Sequence, residues 1–110
     1  MTVTPAPLGE FEQLVLLAVL RLGDDGYGAT ICRAIEESTG RTLSIGAIYT
    51  TLERLHAKRL LTCHIAGPTN ERGGRRRKVY TLTPDGRTAI SRAYLSWQNM
   101  TRGLKGKLIP

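Results

Sequence analysis

The chain has 110 residues, a formal net charge of +7 and an isoelectric point near 10.0. That length supports one domain with a core of its own and leaves little for a separate ligand-binding domain. The longest apolar run, Leu14 to Leu20, falls far short of the roughly 20 residues that span a bilayer. Met1 to Pro7 lacks a basic stretch followed by an apolar one, so a cytoplasmic protein with no membrane partner is expected.

Residues 1 to 40 carry two cations against six carboxylates, a balance of −4, whereas residues 41 to 110 hold fourteen cations and three acids, a balance of +11. Positive charge confined to one part of a chain is the footprint of a polyanion binder.

Glu10 to Leu22 reads as a helix that is apolar on nearly all sides and therefore needs cover on nearly all sides. In a domain this small a second subunit is the simplest source of that cover, which makes Leu14 a candidate dimer contact. Gly23-Asp24-Asp25-Gly26 is a turn, and a second helix over about residues 29–39 closes at Gly40. Arg41-Thr42-Leu43 is a short link with room for a single bridging strand. Ser44 is a good N-cap for a third helix over about residues 45–58.

At 100° per residue this third helix sets Ile45, Ile48, Leu52 and Leu55 on one face. Ala47, Thr50, Thr51, Arg54 and Lys58 fall on or near the other. Small, hydroxyl-bearing and cationic residues suit a major groove: threonine reaches a base edge or phosphate, alanine meets a thymine methyl, and arginine pairs with guanine or backbone. With Ser44 at the helix start, these are the candidate DNA contacts, and an ordinary amphipathic surface helix is the competing interpretation.

Residues 60–65 and 79–82 read as antiparallel strands, with Gly67-Pro68 and Gly73-Gly74 bracketing the loop between them. Arg75-Arg76-Arg77-Lys78 enters the second strand and Arg72 lies in the loop, which loads a wing with candidate phosphate contacts. Thr83 caps a last helix from Pro84 to about Gly103, with Ile90, Ala93, Tyr94, Trp97, Met100 and Leu104 at spacings of three and four. An apolar stripe outside the compact unit normally meets a partner, so Ile90, Tyr94, Trp97 and Met100 join Leu14 as candidate dimer contacts. The expected fold is mainly α with a small β-hairpin: a winged helix-turn-helix over residues 1–83 and a dimerisation helix with a tail over 84–110.

Other chemistries find little support. Cys63 and His64 are adjacent, and adjacent strand residues point to opposite faces, so no metal site is expected. Cys32 and Cys63 make no disulfide framework and lack an evident low-pKa setting. His56 and His64 have no partners that would form a triad, so neither an enzyme nor a cofactor is expected. A wing that binds an acidic protein surface is the alternative of a different class. Preference for a palindromic duplex separates the two.

The motifs and their order resemble the PadR family of bacterial winged-helix transcriptional regulators. The resemblance rests on Gly26-Tyr27-Gly28, on Leu43-Ser44-Ile45-Gly46-Ala47-Ile48-Tyr49 with Leu52 and Leu55, and on Gly74 to Thr83 followed by Gly86. It implies a homodimer, a DNA site with two-fold symmetry and, usually, repression. Carried over by position, Tyr49, Thr50 and Arg54 contact DNA from the recognition helix, and Arg75, Arg76, Arg77 and Lys78 from the wing. The chain looks like the short branch of the family, in which a single C-terminal helix makes the dimer. Some members of that branch hold flat aromatic compounds against a tryptophan on this helix, a role that falls to Trp97 here.

Overall fold

The computed structural model describes residues 7–67 and 76–110. The first helix, α1 (Glu10–Leu22), starts where the Gly9 amide donates to Glu12 Oε1 at 2.9 Å, and it leaves through a single 3₁₀ turn at Gly23–Asp25. Helix α2 (Gly28–Thr39) starts where the Tyr27 amide donates to Thr30 Oγ1 at 3.1 Å. It ends at Gly40, whose φ of 73° is a left-handed cap. Arg41 to Leu43 is coil, not the bridging strand the sequence allowed. Its backbone is held instead by side chains: the Leu43 amide donates to Glu36 Oε2 at 3.0 Å and the Arg41 amide to Thr39 Oγ1 at 3.3 Å, while the Arg41 side chain pairs with Glu10.

Helix α3 (Ile45–Ala57) leads into strand β1 (Leu61–Ala66), which pairs antiparallel with β2 (Arg77–Leu82), Cys63 opposite Tyr80 and Ala66 opposite Arg77. The Tyr80 amide donates to the Gly26 carbonyl at 2.8 Å, which ties the hairpin to the turn before α2. Thr83 Oγ1 accepts from the Gly86 amide at 2.9 Å and Pro84 takes the first position of α4 (Pro84–Thr101). The helix ends short of the expected Gly103, where φ is 79°, and a four-residue helix α5 (Lys105–Leu108) follows.

One core holds these elements together. Val15, Leu16 and Val19 of α1 pack with Ile31 and Ile35 of α2, Ile48, Leu52 and Leu55 of α3, Leu61 and Tyr80 of the hairpin, and Ile90 of α4. Each such aliphatic side chain contributes about 1.5–3 kcal/mol by leaving water. Ile90 is 4% exposed and therefore belongs to the chain's own core, which corrects its assignment to an interface stripe. Ile45, expected on the core face, is 46% exposed: it is the first residue of α3, and burial on that helix begins a turn later at Ile48.

Helix α4 reaches this core only because residue 86 is glycine. A Cβ there would lie 2.1 Å from the Leu60 carbonyl oxygen, far inside any tolerable contact. The same stretch is tied by Thr83, whose amide donates to the Leu60 carbonyl at 3.1 Å and whose hydroxyl donates to the Arg59 carbonyl at 2.8 Å.

Candidate nucleic-acid interface

Helix α3 is anchored at both ends. Ser44 Oγ accepts from the Ala47 amide at 3.1 Å. At the other end the Arg59 amide donates to His56 and the Leu60 amide to Leu55, the paired bonds that close a helix on a left-handed residue. That residue is Arg59, with φ of 61°.

The buried stripe of α3 is Ile48, Thr51, Leu52 and Leu55, while Ser44, Gly46, Ala47, Tyr49, Thr50, Glu53 and Arg54 face out. Thr51, expected among the outward residues, is 5% exposed. Its position three after Ile48 and four before Leu55 puts it between two core residues, and its hydroxyl does not change that geometry. Lys58 also departs from the outward face. Its Nζ donates to Glu12 Oε2 of α1 at 2.7 Å, so it braces α3 against α1.

The wing base runs beside this face. Lys78 Nζ is 4.0 Å from Glu53 Oε1, the acid at the centre of the outward stripe. One residue earlier, the Arg77 guanidinium carbon stands 4.6 Å from the centroid of the Tyr27 ring. Arg76 is exposed, and Arg72 and Arg75 lie outside the described residues. Tyr49 closes the arrangement from α3, because its ring rests on Gly28, where an added Cβ would meet the ring at 2.6 Å. Sequence reasoning does not single out Tyr27 or Glu53 as site residues. Tyr27 stands between the glycines of the Gly26-Tyr27-Gly28 motif, and Glu53 falls on the same wheel sector as Thr50, which is a usable signal.

The titrating groups here are structural. Burial pushes the Glu12 carboxyl up, but the Lys58 hydrogen bond, the Gly9 amide and the nearby Lys58 and Arg54 charges outweigh it and hold it below the usual value. Burial, reinforced by the Cys63 thiol and Glu53, pushes the Tyr80 phenol up to about 12. Burial and then Glu36 raise the Cys32 thiol, so it is not a ready thiolate at neutral pH. Cys63 is half-buried while His64 is exposed, and among the described residues no group of His, Cys, Asp and Glu could hold a metal ion.

A second surface lies on α4, where Tyr94, Leu95, Trp97 and Met100 are exposed, Met100 at 76%. Trp97 Nε1 donates to Gln13 Oε1 of α1 at 3.2 Å, and the neighbouring Leu14 is half-buried. Leu17 and Leu20 of α1 are exposed as well, so this chain alone does not cover the apolar helix all round. Leu14, Leu17, Ala18, Ala34 and Ile35 line a groove of about 120 Å³ between α1 and α2. Among the described residues no helix is long and apolar enough to cross a membrane.

Three helices followed by an antiparallel hairpin, with the hairpin base alongside the open face of the third helix, define a winged helix-turn-helix protein. The chain belongs to the PadR-like family of transcriptional regulators, whose model matches residues 16–92. It is therefore a regulator of the DNA-binding kind and not an enzyme.

Solved structures carry the same fold. A PadR family regulator from Clostridium difficile is 24% identical with a TM-score of 0.69, over 89% of this chain and 98% of that one. A PadR-like regulator from Bacillus cereus is 20% identical with a TM-score of 0.69, over 91% and 92%. A putative transcriptional regulator from Thermoplasma acidophilum is 20% identical with a TM-score of 0.66, over 87% and 89%. No curated protein matches the sequence.

Proposed function

We propose that the chain represses transcription as a homodimer on a DNA site with two-fold symmetry, each subunit laying α3 in the major groove and its wing on flanking phosphates. The observation that carries this reading is the 4.0 Å approach of Lys78 to Glu53, which joins the wing base and the outward stripe of α3 into one surface. On that surface Ala47, Thr50 and Arg54 read bases, Ser44 and Tyr49 flank them, and Arg72, Arg75 and Arg76 neutralise phosphates. Glu53 suits a cytosine amino group.

For the dimer, the apolar stripe of α4 seats in the α1–α2 groove of a second copy. Support comes from two uncovered apolar surfaces of matching kind on one small chain, the stripe at Tyr94, Trp97 and Met100 and the groove at Leu14 and Leu17. A flat aromatic effector would stack on the exposed Trp97 ring between the subunits.

The test is an electrophoretic shift of the duplex upstream of the chain's own coding sequence, with a scrambled duplex of equal length beside it. Arg54→Ala is expected to lose about 1–3 kcal/mol of discrimination between the two. Replacing Arg75 and Arg76 together by alanine should weaken both duplexes alike and lower the salt slope by about 0.9 for each phosphate left without its cation. Equal retention of both duplexes by the wild type, or of neither, sinks this reading.

A further inference from the structure

We propose that Tyr27 is a positioning residue that sets where the wing stands beside the recognition helix, an inference whose bearing on DNA rests on the preceding reading. Gly26, Tyr27 and Gly28 each touch a different part of the interface. The Gly26 carbonyl accepts from the Tyr80 amide of β2 at 2.8 Å. The Tyr27 ring lies 4.6 Å below the Arg77 guanidinium. Gly28 supports the Tyr49 ring of α3, at a distance only a glycine permits.

These contacts hold the hairpin at two points. Tyr80 is in the middle of β2, whereas Arg77, opposite Ala66, is the last paired residue before the strands separate. At about 3.3 Å per residue the two are roughly 10 Å apart along the strand. Leu61 and Tyr80 in the core fix the root of this ribbon and Lys78 approaches Glu53 of α3, while the Tyr27 ring adds a hold on the opposite side at the last paired residue of β2. The turn that supplies both points is itself pinned, because the Tyr27 amide donates to Thr30 Oγ1 at 3.1 Å and Thr30 Oγ1 donates to the Asp25 carbonyl.

The contact does not consume the guanidinium. With its carbon over the ring at 4.6 Å the attraction is of the cation–π kind, which leaves the charge in place, and the exposed Arg77 can still meet a phosphate. Arg77 thus keeps its charge for DNA while its place is dictated by Tyr27. The two roles come apart in experiment, since removing the ring leaves every cation in the chain.

The experiment combines hydrogen exchange on the free protein with DNA binding across a salt series, for wild type, Tyr27→Leu, Tyr27→Phe and Arg77→Gln. The probes are a fluorescent duplex from upstream of the coding sequence and a mixed-sequence duplex at low salt. Tyr27→Leu is expected to exchange faster at the amides of Arg77 to Tyr80 while the α1 and α3 amides keep wild-type rates. Its affinity should fall about two- to fivefold, the range of an exposed cation–π contact, with the salt slope unchanged. Tyr27→Phe keeps the ring face and should match wild type, and Arg77→Gln should lower the slope by about 0.9.

Wild-type exchange in the wing of Tyr27→Leu overturns the proposal, as does acceleration spread evenly over the whole chain, which marks a merely structural residue. Tyr27→Phe behaving like Tyr27→Leu overturns it too. If wild type holds neither duplex, the DNA reading fails, and the exchange pattern still decides whether Tyr27 sets the wing.

Discussion

Helices α3 and α4 are both amphipathic and both set one edge into the same core, yet they show opposite chemistry to the outside. Beyond Ile48, Leu52 and Leu55, α3 presents Ala47, Thr50, Glu53 and Arg54. Beyond Ile90, α4 presents Tyr94, Leu95, Trp97 and Met100. Helix α3 is gripped along its length, by Ser44 at one end and by Lys58 and Arg59 at the other. Helix α4 enters the core near its start, through Gly86 and Ile90 with Ala93 packed at the edge, and the residues from Tyr94 to Met100 are exposed, with one bond back from Trp97 to Gln13.

The lesson is that a buried stripe identifies a helix as part of the fold, and the residues opposite it identify the partner. Hydroxyls and cations lose little by staying hydrated, and they suit a wet, charged duplex. Apolar side chains left in water forgo about 25 cal/mol for every Å² and suit another protein surface.

The contrast can be broken at several points. Gly86→Ala should do most, because the new methyl collides with the Leu60 carbonyl and levers α4 off the winged helix. A loss of about 3 kcal/mol is expected, measured by urea unfolding, and an unchanged midpoint would mean that α4 does not dock this closely.

Trp97→Ala comes next. It should weaken self-association by about 2 kcal/mol, roughly thirtyfold in the dissociation constant, as read by sedimentation equilibrium. Arg54→Ala should leave that constant alone. If both variants or neither change it, the division of labour between the two helices is wrong.

Glu12→Gln tests the grip on α3 through pH. Because the Glu12 carboxyl is held below its ordinary value, its contribution to stability is complete above the unfolded-state pKa. It is lost as the pH falls through the lower folded-state pKa. With Lys58 partly in solvent that contribution is about 1 kcal/mol. Wild type should lose it over this acid range, and Glu12→Gln should show no such step when unfolding is followed as a function of pH.

The smallest effect is a gain. Arg59 sits at φ of 61°, where a side chain is strained, so Arg59→Gly should add about 0.5 kcal/mol after the extra freedom of glycine in the unfolded chain is counted. No gain in thermal unfolding would show that the Arg59 side chain offsets its own strain.

Much of this architecture was legible because its signals are short-range. Ser44 before Ile45, Gly40 after Thr39 and Thr83-Pro84 before Asp85 act within one helical turn, and each marks a helix end in the structure. Reading failed where residue type was allowed to outvote position, as at Thr51, or where spacing said nothing about how far along the helix burial begins, as at Ile45.

The sequence by itself determined the order of the four main helices and the hairpin, where each of those helices begins, and that cationic charge gathers after residue 40. The tertiary structure alone decided that Lys58 turns to Glu12, that Ile90 enters the core, and that Arg77 meets Tyr27 fifty residues away in the chain. The reason is physical. Helix and turn preferences are set by backbone groups a few residues apart, whereas burial and pairing depend on which surfaces meet after the elements have packed.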